Sequence, residues 1–192
     1  MSNNENYKEN FNPEFYMVEV YKKWHRRGFL SVKYWVKESK VQVEVGTIDP
    51  QTKKCTSSSQ AYGDAYSFLS YLRAEINGNM NIVFPDFPNT QFQYFGGSIK
   101  PTGEVISRVF TSTYWRSNRD SPADPTARAF SCGTYAGRKN AQGAFEPDYK
   151  SAIDFNRVKV SLAEMAELFE RLNASVHAYA VQEADLHEVF AL

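Results

Sequence analysis

The residues of this chain best equipped for chemistry are cations interleaved with flat aromatic rings. Arg108, Phe110, Tyr114 and Arg116 fall on alternate positions of one stretch, so an extended strand carries two guanidinium groups and two rings on one face. Lys33, Trp35 and Lys37 repeat the arrangement on a shorter scale. Arg138 and Lys139 lie beside a turn bounded by Gly137 and Gly143. Rings of this kind stack on planar bases, at about 1–3 kcal/mol per base, and the cations suit phosphates. The densest basic run, Lys22, Lys23, Arg26 and Arg27 around Trp24 and His25, reads first as a solvated face.

Bond-making chemistry has no comparable signature. No Ser-His-Asp or Cys-His trio stands out, and Gly96-Gly97 completes neither a phosphate loop nor a dinucleotide pattern. Asp120 with Asp124 and Glu146 with Asp148 sit in proline-containing turns, where capping explains carboxylates. Cys55 and Cys132 read as two free thiols, and His25, His177 and His187 are too scattered for a zinc site. The expectation is a protein without catalysis, cofactor or metal.

Charge is distributed unevenly along the chain. The formal net charge is zero, yet by direct count residues 1–20 carry −3, residues 21–160 carry +8 and residues 161–192 carry −5. The basic middle also holds most of the aromatics, which make up 15% of the chain and favour strands and stacking surfaces. No apolar run approaches the roughly 20 residues of a membrane span. The polar N-terminus resembles neither a signal nor a transit peptide, so a cytoplasmic location is expected.

Hydropathy patterns supply the elements that must position these groups. Residues 1–14 read as a disordered segment. Residues 16–27 fit a short helix or a strand entry. Strands over 29–36 and 41–48 form a hairpin: Val32, Tyr34 and Val36 share a core face with Val41, Val43 and Val45, while Lys33, Trp35 and Lys37 share a wet face with Gln42 and Glu44. Residues 49–59 read as a loop and 62–76 as a helix, with Ala65, Phe68, Leu69, Leu72 and Ile76 at spacings of three and four. A short strand over 92–95 is expected to stop at Gly96-Gly97. Strands follow over 104–116, 128–136 and 150–160, with a loop over 117–126. On the first of these, Ser107, Val109, Thr111, Thr113 and Trp115 take the face opposite Arg108. Ser161 with Glu164 forms a capping box ahead of Leu162, Met165, Ala166, Phe169 and Leu172.

The stretch Arg138–Leu172 combines a basic turn, a last strand and a capped helix beginning Val-Ser-Leu-Ala-Glu-Met. In this it resembles the end of Whirly-type and positive-coactivator-four-type single-strand binders. That resemblance implies strands followed by a helix, in tandem in the Whirly case, and a surface for single-stranded nucleic acid. The C-terminus, with Asp185 and Glu188 interleaved with apolar residues up to Phe190, is similar to the acidic tails of prokaryotic and phage single-strand binders. There such a tail recruits replication partners and competes with nucleic acid.

The fold expected is α+β, antiparallel sheets with a helix closing each half. One domain spans 15–176, and 177–192 forms an acidic-hydrophobic tail or helix. The function expected is non-catalytic binding of single-stranded DNA or RNA through Lys33, Trp35, Lys37, Arg108, Phe110, Tyr114, Arg116, Arg138 and Lys139. Asp185, Glu188 and Phe190 serve a replication or host protein partner, and exposed sheet edges favour a homo-oligomer. The alternative is a protein-interaction module, a phage or mobile-element factor that inhibits or scaffolds a host complex, its aromatics acting as interface anchors.

Overall fold

Alternation decides the first half of the chain. In the computed structural model, which describes residues 17–84, 92–118 and 120–190 (side chains as far as residue 180), Val32 pairs with Val43 and Tyr34 with Val41 across an antiparallel hairpin. All four are buried, as the period-2 pattern requires. The hairpin strands are β2 (Gly28–Trp35) and β3 (Lys40–Ile48); β1 (Met17–His25) and β4 (Cys55–Asp64) complete an antiparallel sheet A of order β1-β2-β3-β4. Helix α1 (Ala65–Ile76) follows directly, then the single turn α2 (Met80–Val83). Sheet B repeats the scheme with β5 (Phe92–Ile99), β6 (Val105–Trp115), β7 (Asp124–Lys139) and β8 (Phe145–Ser161) in that order, followed by α3 (Leu162–Phe190). The fold is α+β, two antiparallel four-stranded sheets each followed by a helix. Among the described residues no helix is long and apolar enough to cross a membrane.

Both long helices start on side-chain caps. The Asp64 carboxylate accepts from the Ser67 amide at 2.7 Å. At α3 the anticipated capping box is in place: the Ser161 amide donates to Glu164 at 2.8 Å and the Glu164 amide to Ser161 Oγ at 3.2 Å. Each cap satisfies amides that the start of the helix leaves without partners. Helix α1 then buries Phe68, Leu69, Tyr71 and Leu72, and α3 buries Met165, Leu168 and Leu172. Between them and sheet B lies an aromatic core, with Tyr71 stacked on Phe92 at 4.1 Å and Phe110 edge-on to both Phe68 and Phe130.

Several boundaries differ from the sequence reading. The loop expected over 49–59 is strand from Cys55 onward. Its first half, Cys-Thr-Ser-Ser, is exposed at a sheet edge and so carries no apolar alternation. The helix therefore starts at Ala65 rather than residue 62. Residues 17–25 resolve to strand. Gly96-Gly97 does not stop β5, which runs on to Ile99. A Cβ at Gly97 would lie 2.6 Å from the Phe145 ring, so glycine here admits an aromatic side chain above the strand. Strands β7 and β8 extend to meet in one long hairpin, reaching Lys139 and starting at Phe145. The N-terminal segment 1–14 lies outside the described residues. The expected C-terminal tail is helical in backbone through Phe190, and the side chains of Asp185, Glu188 and Phe190 lie outside the described residues.

Polar groups also join the sheets. Asn156 Nδ2 on β8 donates to Ser59 Oγ at 2.7 Å, its Oδ1 accepts from Thr47 at 2.8 Å, and Ser59 donates to Asp154. Buried polar atoms that find partners fix the relative register of the layers they connect.

Candidate functional site

Where the exposed face of sheet A meets the β5 edge of sheet B, the surface opens into a cleft of about 510 Å³. Trp35, at the end of β2, stands edge-on to Tyr62 of β4, ring centroids 5.6 Å apart. Phe95 of β5 and Phe145 of β8 supply the facing apolar wall, and Gly63, Gly96 and Gly97 lie between. The Tyr94 ring lies against Gly63, where a Cβ would come within 2.6 Å, and its hydroxyl donates to the Asp64 carbonyl at 2.9 Å. Glycine at 63 and 97 makes room for the Tyr94 and Phe145 rings that pack beside the cleft.

Charge enters the cleft through Arg108, whose guanidinium donates to Ser98 Oγ at 3.0 Å. Burial raises the Tyr62 phenol above its ordinary value, and the Arg108 charge works against that rise, so guanidinium and ring share one environment. Lys40 is on the rim, paired with Glu38 at 2.5 Å, and Lys139 lies 5.9 Å from the centre of the Phe145 ring. The indole N–H of Trp35 is buried with no hydrogen-bond partner among the described residues. A desolvated donor without an acceptor is costly, and a ligand acceptor would relieve it. The arrangement can stack planar groups, donate from Trp35 and pair anions with Arg108.

The anticipated residues divide. Trp35 and Arg108 converge on the cleft, and Lys139 reaches it over Phe145. Lys33 stands opposite Gln42 on the same sheet face as Trp35, as the hairpin pattern required, and Lys37 is exposed in the turn that follows. Arg138 is 82% exposed and held by Glu146 at 2.8 Å.

Phe110 is a correction. The Arg108–Arg116 alternation is present, but its face looks inward, and Phe110 is fully buried between Phe68 and Phe130. A ring enclosed this way cannot stack on a ligand. Tyr114 lies under the guanidinium of Arg128 at 3.9 Å, and Arg128 is locked in a buried pair with Glu75. Arg116 braces its own loop, donating to the Ser121 carbonyl at 2.9 Å. These two belong to the packing of sheet B against α1 and to a loop, away from the cleft.

Sequence reasoning missed Tyr62, Phe95 and Phe145. The sequence pattern puts Tyr62 in a helix and Phe95 at the end of a strand, and Phe145 falls between the turn ending at Gly143 and the last strand. Their only local signal is an aromatic next to or near a glycine. Their convergence depends on how the two sheets meet. No family model matches the chain, and no curated protein matches it.

Proposed function

We propose that the protein binds single-stranded nucleic acid without catalysis, and that the cleft between the sheets is where bases enter. The observation that carries this reading is the meeting of Trp35, Tyr62, Phe95 and Phe145 with Arg108 in one open cleft. Four rings give sequence-tolerant stacking, and a guanidinium beside them gives a phosphate contact. Lys33 on the sheet face of Trp35, Lys37 in the turn that follows and Lys139 over Phe145 add a salt-dependent attraction, while Lys40 on the rim is paired with Glu38. Strands followed by a helix, met twice along the chain, also fit the resemblance to Whirly-type binders, which implies strands followed by a helix in tandem. The acidic end of α3, with Asp185 and Glu188, acts in this reading as a competitor for the basic surface or a handle for a protein partner. Deleting residues 183–192 then tightens binding at low salt.

The test is fluorescence anisotropy of labelled oligothymidylate, oligouridylate and duplex DNA at low and high salt. Single-strand binding that weakens with salt and is weakened in Tyr62→Ala supports the reading. Absence of binding to all three at low salt overturns it and favours the protein-interaction alternative.

A further inference from the structure

The surface that continues from the cleft along sheet B carries a second cationic–aromatic group. Residues directly opposite in an antiparallel sheet share a face. The outer face of sheet B is therefore built from three registered rows: Phe95, Val109, Gly133 and Phe155; then Gln93, Thr111, Ser131 and Arg157; then Thr113, Ala129 and Lys159, of which Phe95, Phe155, Arg157 and Lys159 are exposed. Its middle strand contributes only small residues, Ala129, Ser131 and Gly133, and these are buried, so the side chains of the flanking strands form the surface above them. Above them the register shifts between Tyr114 and Trp115, and the Trp115 indole lies against β8. The guanidinium of Arg157 lies 4.8 Å from the Trp115 ring centre and the Lys159 ammonium 5.9 Å away.

The two cations are held differently. Lys159 is paired with Asp124 at 2.9 Å. Arg157 is exposed and pairs with no carboxylate among the described residues. A guanidinium laid on an indole has lost its rotamer freedom in advance and keeps its outer N–H groups for an anion. Phe155, 55% exposed, stands next to it toward the cleft. Along β6, six residues separate Val109, beside Phe95, from Trp115, a span of about 20 Å.

We infer that the exposed face of sheet B is a second contact for the same strand of nucleic acid, with Arg157, steadied by Trp115, anchoring a phosphate and Phe155 offering a ring between anchor and cleft. The occupant follows from the surface: unpaired positive charge beside flat rings fits a flexible polyanion that carries planar groups. The inference rests on the binding reading above and extends it to a path, so the strand runs from the cleft across β7 rather than ending between the sheets.

Oligothymidylates of two lengths test it, about 4 nucleotides to fill the cleft alone and about 16 to reach Arg157. Anisotropy is measured for the wild type, Arg157→Gln and Arg157→Lys across a salt series. The expected result is that Arg157→Gln leaves the short oligomer unaffected, weakens the long one about tenfold and lowers its salt slope by about 0.7. Arg157→Lys restores the slope, because the charge returns. Arg157 is exposed and packs on one ring, so these variants fold; Trp115→Leu gives a second reading of the same contact with the same length dependence. Equal loss for both lengths, or no loss for the long oligomer while Tyr62→Ala weakens binding, overturns the path and leaves the cleft intact. No binding by the wild type at either length overturns the cleft and the path together.

Discussion

Sheet B places an arginine on an aromatic ring on each of its faces, and the two pairs have opposite consequences. On the inner face Arg128 covers Tyr114 and forms a buried pair with Glu75, both side chains nearly solvent-free. On the outer face Arg157 covers Trp115 in the open, with no carboxylate partner among the described residues. The difference teaches where a charge is structural and where it is available. A buried guanidinium is committed to its partner, because leaving either charge alone in the interior is expensive. An exposed one held only by a ring retains its capacity for an incoming anion.

The largest effect expected on this comparison is from Arg128→Met, which strands Glu75 and lowers stability by about 3–5 kcal/mol. Urea denaturation monitors it, and the double variant with Glu75→Met should recover most of the loss. If the single variant were as stable as wild type, the inner pair would not be structural. Phe110→Ala should destabilise by a similar or slightly smaller amount, about 3–5 kcal/mol, by opening a cavity between Phe68 and Phe130. An oligonucleotide affinity that drops far beyond the fraction unfolded would instead put Phe110 back at a binding surface.

At the cleft, Tyr62→Ala removes one wall and is expected to weaken oligothymidylate binding by about 1–3 kcal/mol with little change in stability. Anisotropy and a melting curve on the same sample separate the two effects. The smallest effect concerns Asp124. Hydrogen bonds from Thr126 and Lys159 hold its carboxyl down at about 2, against 3.8 unperturbed. A depressed folded value means that Asp124 stabilises the fold above the unfolded value and that this is lost as pH falls through about 2. The small melting-temperature gap between wild type and Asp124→Asn should therefore close between neutral pH and about pH 2. The same variant releases Lys159, so long-oligomer affinity at neutral pH should rise slightly; a fall would contradict the assignment of this face to an anionic partner.

Part of this organisation was legible in the chain. The β2–β3 hairpin, the inward side of Val32, Tyr34, Val41 and Val43, and the cap at Ser161 all rest on short-range geometry, where period and cap chemistry act within a few residues. The candidate site was legible only in pieces. Trp35 and Arg108 stood out because they lie among cations and rings, but the strand that carries Arg108 is ambiguous about its faces. Arg-Phe-Ser-Tyr-Arg and Ser-Val-Thr-Thr-Trp are both mixed, and either can look outward. Strand β8 held the missing signal. Asn156, Val158 and Val160 alternate with Phe155, Arg157 and Lys159, which puts the cations outside, and the pairing register then brings Trp115 to them.

By itself, then, the sequence determined the α+β class, the principal strand and helix segments, the polarised charge and the choice of aromatics with cations as the chemical groups on offer. Those are properties of composition and of neighbours along the chain. Only the tertiary structure decided which face of β6 is solvent, that Phe110 is core, and that Tyr62, Phe95 and Phe145 converge on Trp35. Each of these depends on pairing between residues tens of positions apart and on the angle at which two sheets meet, and no local pattern encodes that angle.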